Sequence, residues 1–364
     1  MFSKTRQKME YSNSNSQKSI CRWGVIGTAT IARKVVRAMH LSQHANPVAI
    51  ASRDLDRAMA FAEENDLKRT FGSYEELLAD SQIDAVYVPV PTGMRRDVVI
   101  EAARAGKHVL CEKPVAPNAA IAEQMMNACR DFGVQFMDGV MFMHHHRLEL
   151  LRKQIGDLHF DPKLVESAFS FKADAQYLES NIRTSIDTEP LGCVGDLGWY
   201  CVRISLILMQ DLPCVVRARH HEMHGGVPIH TTGELVFEGC SGLRLARFQC
   251  SYCHPLRQWV EIVGDGGCIR IPDFVIGSPS EAEVEIETES TLNDLETLHR
   301  RTLERFVVEN CIQEVEMIEC FSRIAAGIDP IDSQWPRWAI ETQRVTDAIM
   351  NSAEAGGCDI ILAR

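Results

Sequence analysis

A chain of 364 residues is long enough to bury two substantial cores, and its 45% hydrophobic and 24% charged make-up is that of an ordinary globular protein. A formal net charge of -12, with no long run of Lys or Arg, argues against nucleic acid as a partner, and no apolar run approaches the ~20 residues that span a bilayer. Thirteen irregularly spaced cysteines behind a polar start with no export signal point to reduced thiols and a cytoplasmic location, not to a disulfide framework.

Residues 1–20, rich in Ser, Asn, Gln and Lys, are expected to form a disordered tail. From residue 22 to 137 short apolar strands alternate with amphipathic helical stretches, the rhythm of a doubly wound parallel sheet. Strands are expected at 23–26, 48–51, 85–88, 108–111 and 135–137, and helices at 32–41, 54–64 and 121–131, with Gly106 and Gly133 as helix stops. After a linking helix near 146–154 the period changes to alternation at 164–173, 215–221, 232–237, 243–250 and 259–263, broken by Gly-rich turns, which predicts an open, mostly antiparallel sheet. Further helices are expected at 196–209, 303–326 and 336–353, with Pro330 and Pro336 bracketing the link between the last two. The fold class is therefore α/β. A Rossmann domain is expected over 21–141, a substrate and dimerisation domain with an open, mostly antiparallel sheet over 142–335, and a C-terminal helix and tail, 336–364, packing back on the body.

Directly after the first strand, Gly27-Thr28-Ala29-Thr30-Ile31-Ala32 occupies the slot of G-x-G-x-x-G/A, with alanine in the second place. Backbone N–H groups in such a turn can meet a pyrophosphate at the positive end of the following helix; the other reading is an ordinary strand-to-helix turn. At the end of the second strand, where an NAD site usually carries an acid, stand Ser52 and Arg53, with Arg57 one turn on. A hydroxyl and a guanidinium suit a 2′-phosphate, which favours NADP and leaves NAD possible. The alternative is a solvated arginine at a helix start capped by Asp54.

The fourth strand leads into Cys111-Glu112-Lys113-Pro114, which places Lys113 at the carboxyl edge of a parallel sheet, where side chains face the ligand crevice. In the second half, Gly195-Asp196-Leu197-Gly198-Trp199-Tyr200 opens a helix, with Asp196 and Tyr200 four apart on one face. Hydride removal from an alcohol needs a base for the hydroxyl proton, and a phenol serves if a nearby cation stabilises its phenolate. Lys113 and Tyr200 could form that pair; taken singly, they are also a surface lysine before a turn proline and a half-buried tyrosine.

With Gly27-Thr28-Ala29, Glu112-Lys113-Pro114 and Asp196-x-Gly198-x-Tyr200 in order, the chain resembles the Gfo/Idh/MocA oxidoreductase family from Arg22 to about Ala353. Gly72 to Leu78, Asp84 to Pro89 and the run from Met137-Asp138-Gly139 to His144-His145 are similar to the branch of dihydrodiol and D-xylose dehydrogenases, sugar 3-ketoreductases and uncharacterised plant oxidoreductases. The resemblance implies that Lys113 contacts the nicotinamide ribose and the reacting hydroxyl, that Glu112 lies on the nicotinamide side, and that Tyr200 is the acid/base. Asp196 then positions substrate or lysine. The resemblance also implies that Pro89-Val90-Pro91-Thr92 runs under the nicotinamide and that Arg183, His144 and His145 stand by the substrate. Two departures from the pattern, Arg95 and His146, are expected at the border of the substrate pocket. A homodimer joined through the open sheet is implied by the same analogy.

No metal is expected. Cys250-x-x-Cys253-His254 fits a haem-attachment pattern but falls at a strand end, where residues three apart face opposite ways, and Glu222 within His220 to His224 is out of register with H-E-x-x-H. The expectation is thus an NADP-dependent oxidoreductase acting on a sugar, a polyol or a related cyclic diol. Its rivals are a non-catalytic dinucleotide-binding regulator and a glycosidase-like relative that uses tightly bound NAD.

Overall fold

The computed structural model describes residues 20–157, 160–239, 242–288 and 302–363; the expected tail up to residue 19 lies outside the described residues. Six parallel strands form the first sheet: β1 (Cys21–Ile26), β2 (Ala45–Ala51), β3 (Arg69–Phe71), β4 (Ala85–Val88), β5 (His108–Cys111) and β6 (Phe136–Asp138). Their order is β3-β2-β1-β4-β5-β6, so the chain reverses direction across the sheet between β1 and β4, which is where such folds bind dinucleotides. The crossovers are α1 (Thr30–Leu41), α2 (Leu55–Glu64), α3 (Tyr74–Leu78), α4 (Arg95–Arg104) and α5 (Ala119–Asp131). Ala32, Val35, Val36 and Met39 form the buried stripe of α1, and Asp54, Ser73 and Asn118 cap α2, α3 and α5. Gly106 and Gly133 follow α4 and α5 with φ of 71° and 68°, the left-handed stop that glycine adopts without strain.

A linking helix, α6 (Arg147–Asp157), precedes the second half, which also holds the short α7 (Ala175–Ser180) and α8 (Trp199–Met209). Its sheet is built from β7 (Pro162–Lys172), β8 (Val215–His224), β9 (Val227–Gly239), β10 (Gly242–Ser251), β11 (Cys253–Gly264), β12 (Gly267–Ile271), β13 (Glu281–Thr288), β14 (Thr302–Glu309) and β15 (Ile360–Ile361). The order is β14-β13-β12-β11-β7-β10-β9-β8-β15, antiparallel except where β10 runs parallel to β7. One face, with Val165, Leu235, Ala246, Phe248 and Val260, is buried. The alternating residues Glu166, Glu234, Arg247 and Glu261 lie on the other face, where Glu234 bridges Arg217 and Arg247 at 3.1 and 3.0 Å.

The last two helices, α9 (Gln313–Ala325) and α10 (Gln334–Glu354), return to the first half. Packing against α1, α9 lets the Trp23 indole N–H donate to Ser322 Oγ at 3.0 Å, and α10 lies against α5 and β6 as well as α8 and β8. Among the described residues no helix is long and apolar enough to cross a membrane.

Two expectations about elements are corrected. The helix expected at 303–326 is a strand and a helix, because β14 pairs along its whole length with β13, while Asn310, at φ 54°, turns the chain before α9 begins. Helical and strand periods both fit that segment, and the open edge of β13 decides between them. The helix expected from 196 begins instead as a π-turn, Val194–Gly198. As expected, Pro336 sits in the first turn of the last helix, α10, where its missing N–H is not needed.

Candidate functional site

The crevice between β1 and β4 is shaped by Gly27. Its φ is +93°, its N–H donates to Ala51 O at 2.8 Å, and a Cβ there would meet Val90 Cγ1 at 3.4 Å and Tyr74 Oη at 3.6 Å. Thr28, Ala29, Thr30 and Ile31 follow, half-buried or exposed. No side chain caps α1 and no acid stands in its first turn, so the free amides and the positive end of the helix are open to a phosphate. At the end of β2, Ser52 is buried and its Oγ accepts from the Asp54 N–H at 3.2 Å, leaving its own proton to donate; Arg53 and Arg57 are exposed beside it. Asp54 accepts from the Arg57 N–H at 3.2 Å and caps α2.

After β4, Pro89 and Val90 are buried and Pro91 half-buried, and Thr92 is fully buried. The Thr92 N–H donates to Glu189 Oε1 at 3.2 Å and its hydroxyl to Glu189 Oε2 at 2.5 Å. Arg95, expected at the substrate border, is instead a buried brace: its Nε donates to Val90 O at 2.8 Å and its Nη1 to Pro114 O, joining the loops after β4 and β5.

At the end of β5, Glu112 is buried and accepts from the Tyr87 hydroxyl at 2.7 Å. Lys113 precedes a cis proline, and its Nζ donates to the Asp196 carbonyl at 2.6 Å and to Asp196 Oδ1 at 2.8 Å. Asp196 lies in the π-turn, a helix irregularity found disproportionately at functional sites. Gly195 allows that turn to approach, since a Cβ there would meet Leu191 Cβ at 2.7 Å and Pro114 Cγ at 3.0 Å. Arg183 Nε stands 3.0 Å from Asp196 Oδ1, and the Tyr252 hydroxyl donates to Oδ2 at 3.0 Å. Lys113 Nζ also lies 4.8 Å from the centre of the Tyr200 ring, and Phe142 and Phe169 pack on that ring at 6.1 and 5.5 Å. Among the described residues none hydrogen-bonds the Tyr200 hydroxyl.

Burial alone would raise the Asp196 carboxyl, but Lys113, Arg183 and the hydrogen bonds from Lys113 and Tyr252 hold it well below the usual carboxylate range. Burial works against the Lys113 ammonium, yet Asp196 and Tyr200 outweigh it and its pKa is raised. Burial lifts the Tyr200 phenol above its ordinary value, and the charge on Lys113 draws back only part of that rise. At neutral pH the cluster is thus a carboxylate between two cations beside a protonated phenol.

His144 and His145 are not brought to this cluster. His144 stacks on Trp335 with ring centres 4.7 Å apart, and burial pushes its pKa down to about 3. The buried His145 accepts from the Arg147 N–H at 3.2 Å and lies 3.2 Å from where a Cβ on Gly277 would stand; burial, then Arg147, lowers it to about 4. Neither ring hydrogen-bonds or stacks on Lys113, Asp196 or Tyr200; Trp335 is the ring partner of His144, and Arg147 the partner of His145. His146 is half-exposed, 3.6 Å from Glu316, on the surface and not at a pocket.

Sequence reasoning missed Tyr252, Tyr87 and Glu189. A tyrosine inside a buried strand must find a partner for its hydroxyl, and that was the available signal for Tyr87, whose neighbour strand leads into Glu112. Tyr252 forms a ring cluster with Phe171 and Tyr177, at 5.2 and 5.6 Å, beside Arg183. Nothing in the local sequence marks Glu189.

A family profile described as an oxidoreductase family with an NAD-binding Rossmann fold matches residues 21–140. A D-xylose 1-dehydrogenase (NADP(+)) from Haloferax volcanii is 32% identical over 92% of this chain and 98% of its own. A trans-1,2-dihydrobenzene-1,2-diol dehydrogenase from Xenopus laevis is 31% identical over 70% and 76%. Among solved structures, a 3-ketoreductase from Actinomadura kijaniata in complex with NADP and TDP-benzene superposes with a TM-score of 0.78 at 23% identity, over 92% of this chain and 98% of that one. An aldose-aldose oxidoreductase from Caulobacter crescentus complexed with glycerol gives a TM-score of 0.80 at 20% identity, over 94% and 100%.

Proposed function

Because the chain belongs to the Gfo/Idh/MocA oxidoreductase family, we propose that it moves a hydride between NADP and a hydroxyl or keto carbon of a sugar, a polyol or a related cyclic diol. The observation that carries this reading is the cluster of Lys113, Asp196 and Tyr200 at the carboxyl edge of β5, beside the crevice where the strand order reverses. The residues around that crevice fit the dinucleotide. Gly27 to Ile31 and the free start of α1 suit the pyrophosphate, and Ser52, Arg53 and Arg57 suit a 2′-phosphate. When bound, the nicotinamide supplies or takes up the hydride.

The protein's part is the proton and the position. Tyr200, with its hydroxyl unclaimed and its pKa raised, gives its proton to a carbonyl oxygen in reduction and takes it back from the alcohol in oxidation. The Lys113 ammonium, anchored by Asp196, stabilises the charge that develops on that oxygen and on the phenol. Glu112, fixed by Tyr87 and donated to by the Lys113 N–H at 3.3 Å, orients the lysine backbone. Arg183 and the Phe171, Tyr177 and Tyr252 rings form a cationic and aromatic wall suited to a hydroxylated ring. An ionised cluster so well placed to handle a proton favours turnover over a purely regulatory role.

A cytoplasmic homodimer completes the reading. Its support is the face of the second sheet opposite the buried one, where the ladder of charges joining Arg217, Glu234 and Arg247 is self-complementary in kind, and a thiol-rich composition suited to a reducing compartment. The test is a nicotinamide-fluorescence screen of aldoses, ketosugars, inositols and trans-dihydrodiols with NADP and NAD in both directions. Turnover of at least one class with NADP is expected. Binding of the cofactor with turnover of none would refute the enzymatic reading.

A further inference from the structure

Three loops meet over the β1/β4 crevice, and each is tied to the next by a buried polar contact. Arg95 joins the loop after β4 to the loop after β5 through the carbonyls of Val90 and Pro114, the residue that follows Lys113. Glu189 joins the loop after β4 to the segment of the second half that runs from Arg183 to Asp196. Its carboxylate accepts both the N–H and the hydroxyl of Thr92, the first residue of the short helix Thr92–Met94 that runs into α4. A carboxylate at that place satisfies two donors at once and faces the positive end of the helical run, a cap supplied from the opposite half of the molecule. Thr92 is fully buried and Glu189 nearly so, and the Asp187 carbonyl comes within 3.6 Å of where a Cβ on Gly93 would stand. Val90, two residues before Thr92, is the side chain that closes on Gly27 in the crevice.

We propose that Glu189 is a positioning residue that sets the register between the two halves of the site. Through Thr92 it holds the crevice wall at Val90, and through its own backbone it holds the segment that carries Arg183 and leads to Asp196. The nicotinamide-side wall and the substrate-side cations then keep a fixed separation. The inference rests on the proposed hydride transfer only for its kinetic consequence; the geometry of the crevice wall is independent of it.

The test uses the full chain and the variants Glu189→Ala, Glu189→Gln and Thr92→Val, with NADPH as the probe. Three quantities are read: the dissociation constant of NADPH, the emission maximum of the bound nicotinamide, and kcat for whichever substrate the wild type turns over. Losing two hydrogen bonds to a buried carboxylate should lower kcat in Glu189→Ala about tenfold to a hundredfold, with NADPH affinity changed by no more than about threefold. The bound nicotinamide emission should move toward that of free NADPH. Glu189→Gln, whose amide oxygen still accepts one of the two bonds, and Thr92→Val, which keeps its N–H, should both fall between. If Glu189→Ala leaves emission and kcat at wild-type values, the proposal is overturned. It is also overturned if affinity, emission and melting temperature all drop together and Glu189→Gln restores none of them. Should the wild type bind NADPH and turn over nothing, the proposed function fails, while a shifted emission at preserved affinity still upholds the role of Glu189.

Discussion

Asp196→Asn keeps the outline of the side chain and removes the charge on which three donors converge. Lys113 Nζ at 2.8 Å and Arg183 Nε at 3.0 Å both meet Oδ1, and the Tyr252 hydroxyl meets Oδ2 at 3.0 Å. Lys113 and Asp196 are 9% and 14% exposed, so their pair is effectively buried, and removing one partner of such a pair costs about 3–5 kcal/mol. Arg183 is 41% exposed and adds only the small increment of a screened pair. For a chain of this size that loss corresponds to a fall in melting temperature of roughly 4–7 °C. The pH dependence gives a second reading. The Asp196 pKa is depressed, so its contribution to stability is present above about pH 4 and is lost as the pH falls through the folded value; the variant should lack that acid-side loss. Without Asp196, burial and Arg183 both act to lower the Lys113 pKa, so the alkaline limb of the pH–rate profile should move toward neutrality. Calorimetry across pH and steady-state rates measure these effects. An unchanged melting temperature with an unchanged alkaline limb would refute the account of the cluster.

Tyr200→Phe and Lys113→Met should each lower turnover by roughly 100-fold or more while NADPH still binds, because acid–base assistance is typically worth that much. Since the Tyr200 pKa is raised, wild-type alcohol oxidation should climb with pH beyond neutrality and carbonyl reduction should stay flat there, and Tyr200→Phe should abolish that climb. Arg53→Asp should weaken NADP by about tenfold to a hundredfold and leave NAD unchanged or tighter, as read by quenching of tryptophan fluorescence. Arg203→Met should destabilise the fold by about 3–5 kcal/mol in chemical denaturation, because it strands Asp138, whose carboxylate lies 2.6 Å from the guanidinium with both side chains fully buried.

Period and punctuation made the first half legible. The strands 85–88 and 108–111 were read to the residue, and Gly106 and Gly133 stopped the helices they were expected to stop, because parallel strands and amphipathic helices write their burial into local spacing. The second half was harder where the partner was remote. The segment 302–309 has no helical or strand preference strong enough to resist the edge of β13, while β13 itself alternates Glu with apolar residues from Glu281 to Ile286, a strand signal that sequence reasoning missed. At the site, Lys113, Asp196 and Tyr200 were named from motif order, but the contact that organises them, Lys113 on the carbonyl and carboxylate of Asp196, spans 83 residues and needed the π-turn. For His144 and His145, adjacency in sequence to an expected pocket says nothing of which way a ring packs; His144 stacks on Trp335, far along the chain.

The return of α9 and α10 to the first half has a consequence for how the chain is made. The indole N–H of Trp23 waits for Ser322, 299 residues later; the Ala119 N–H waits for Asp347, 228 later; and Gln135 exchanges hydrogen bonds with Asp332, 197 later. A nucleotide-binding sheet that leaves the ribosome first would ordinarily fold first. Here it emerges with the flanks of α1 and α5 uncovered until α9 and α10 follow. The nascent first half thus carries apolar surface that α9 and α10 of the same chain cover in the folded protein.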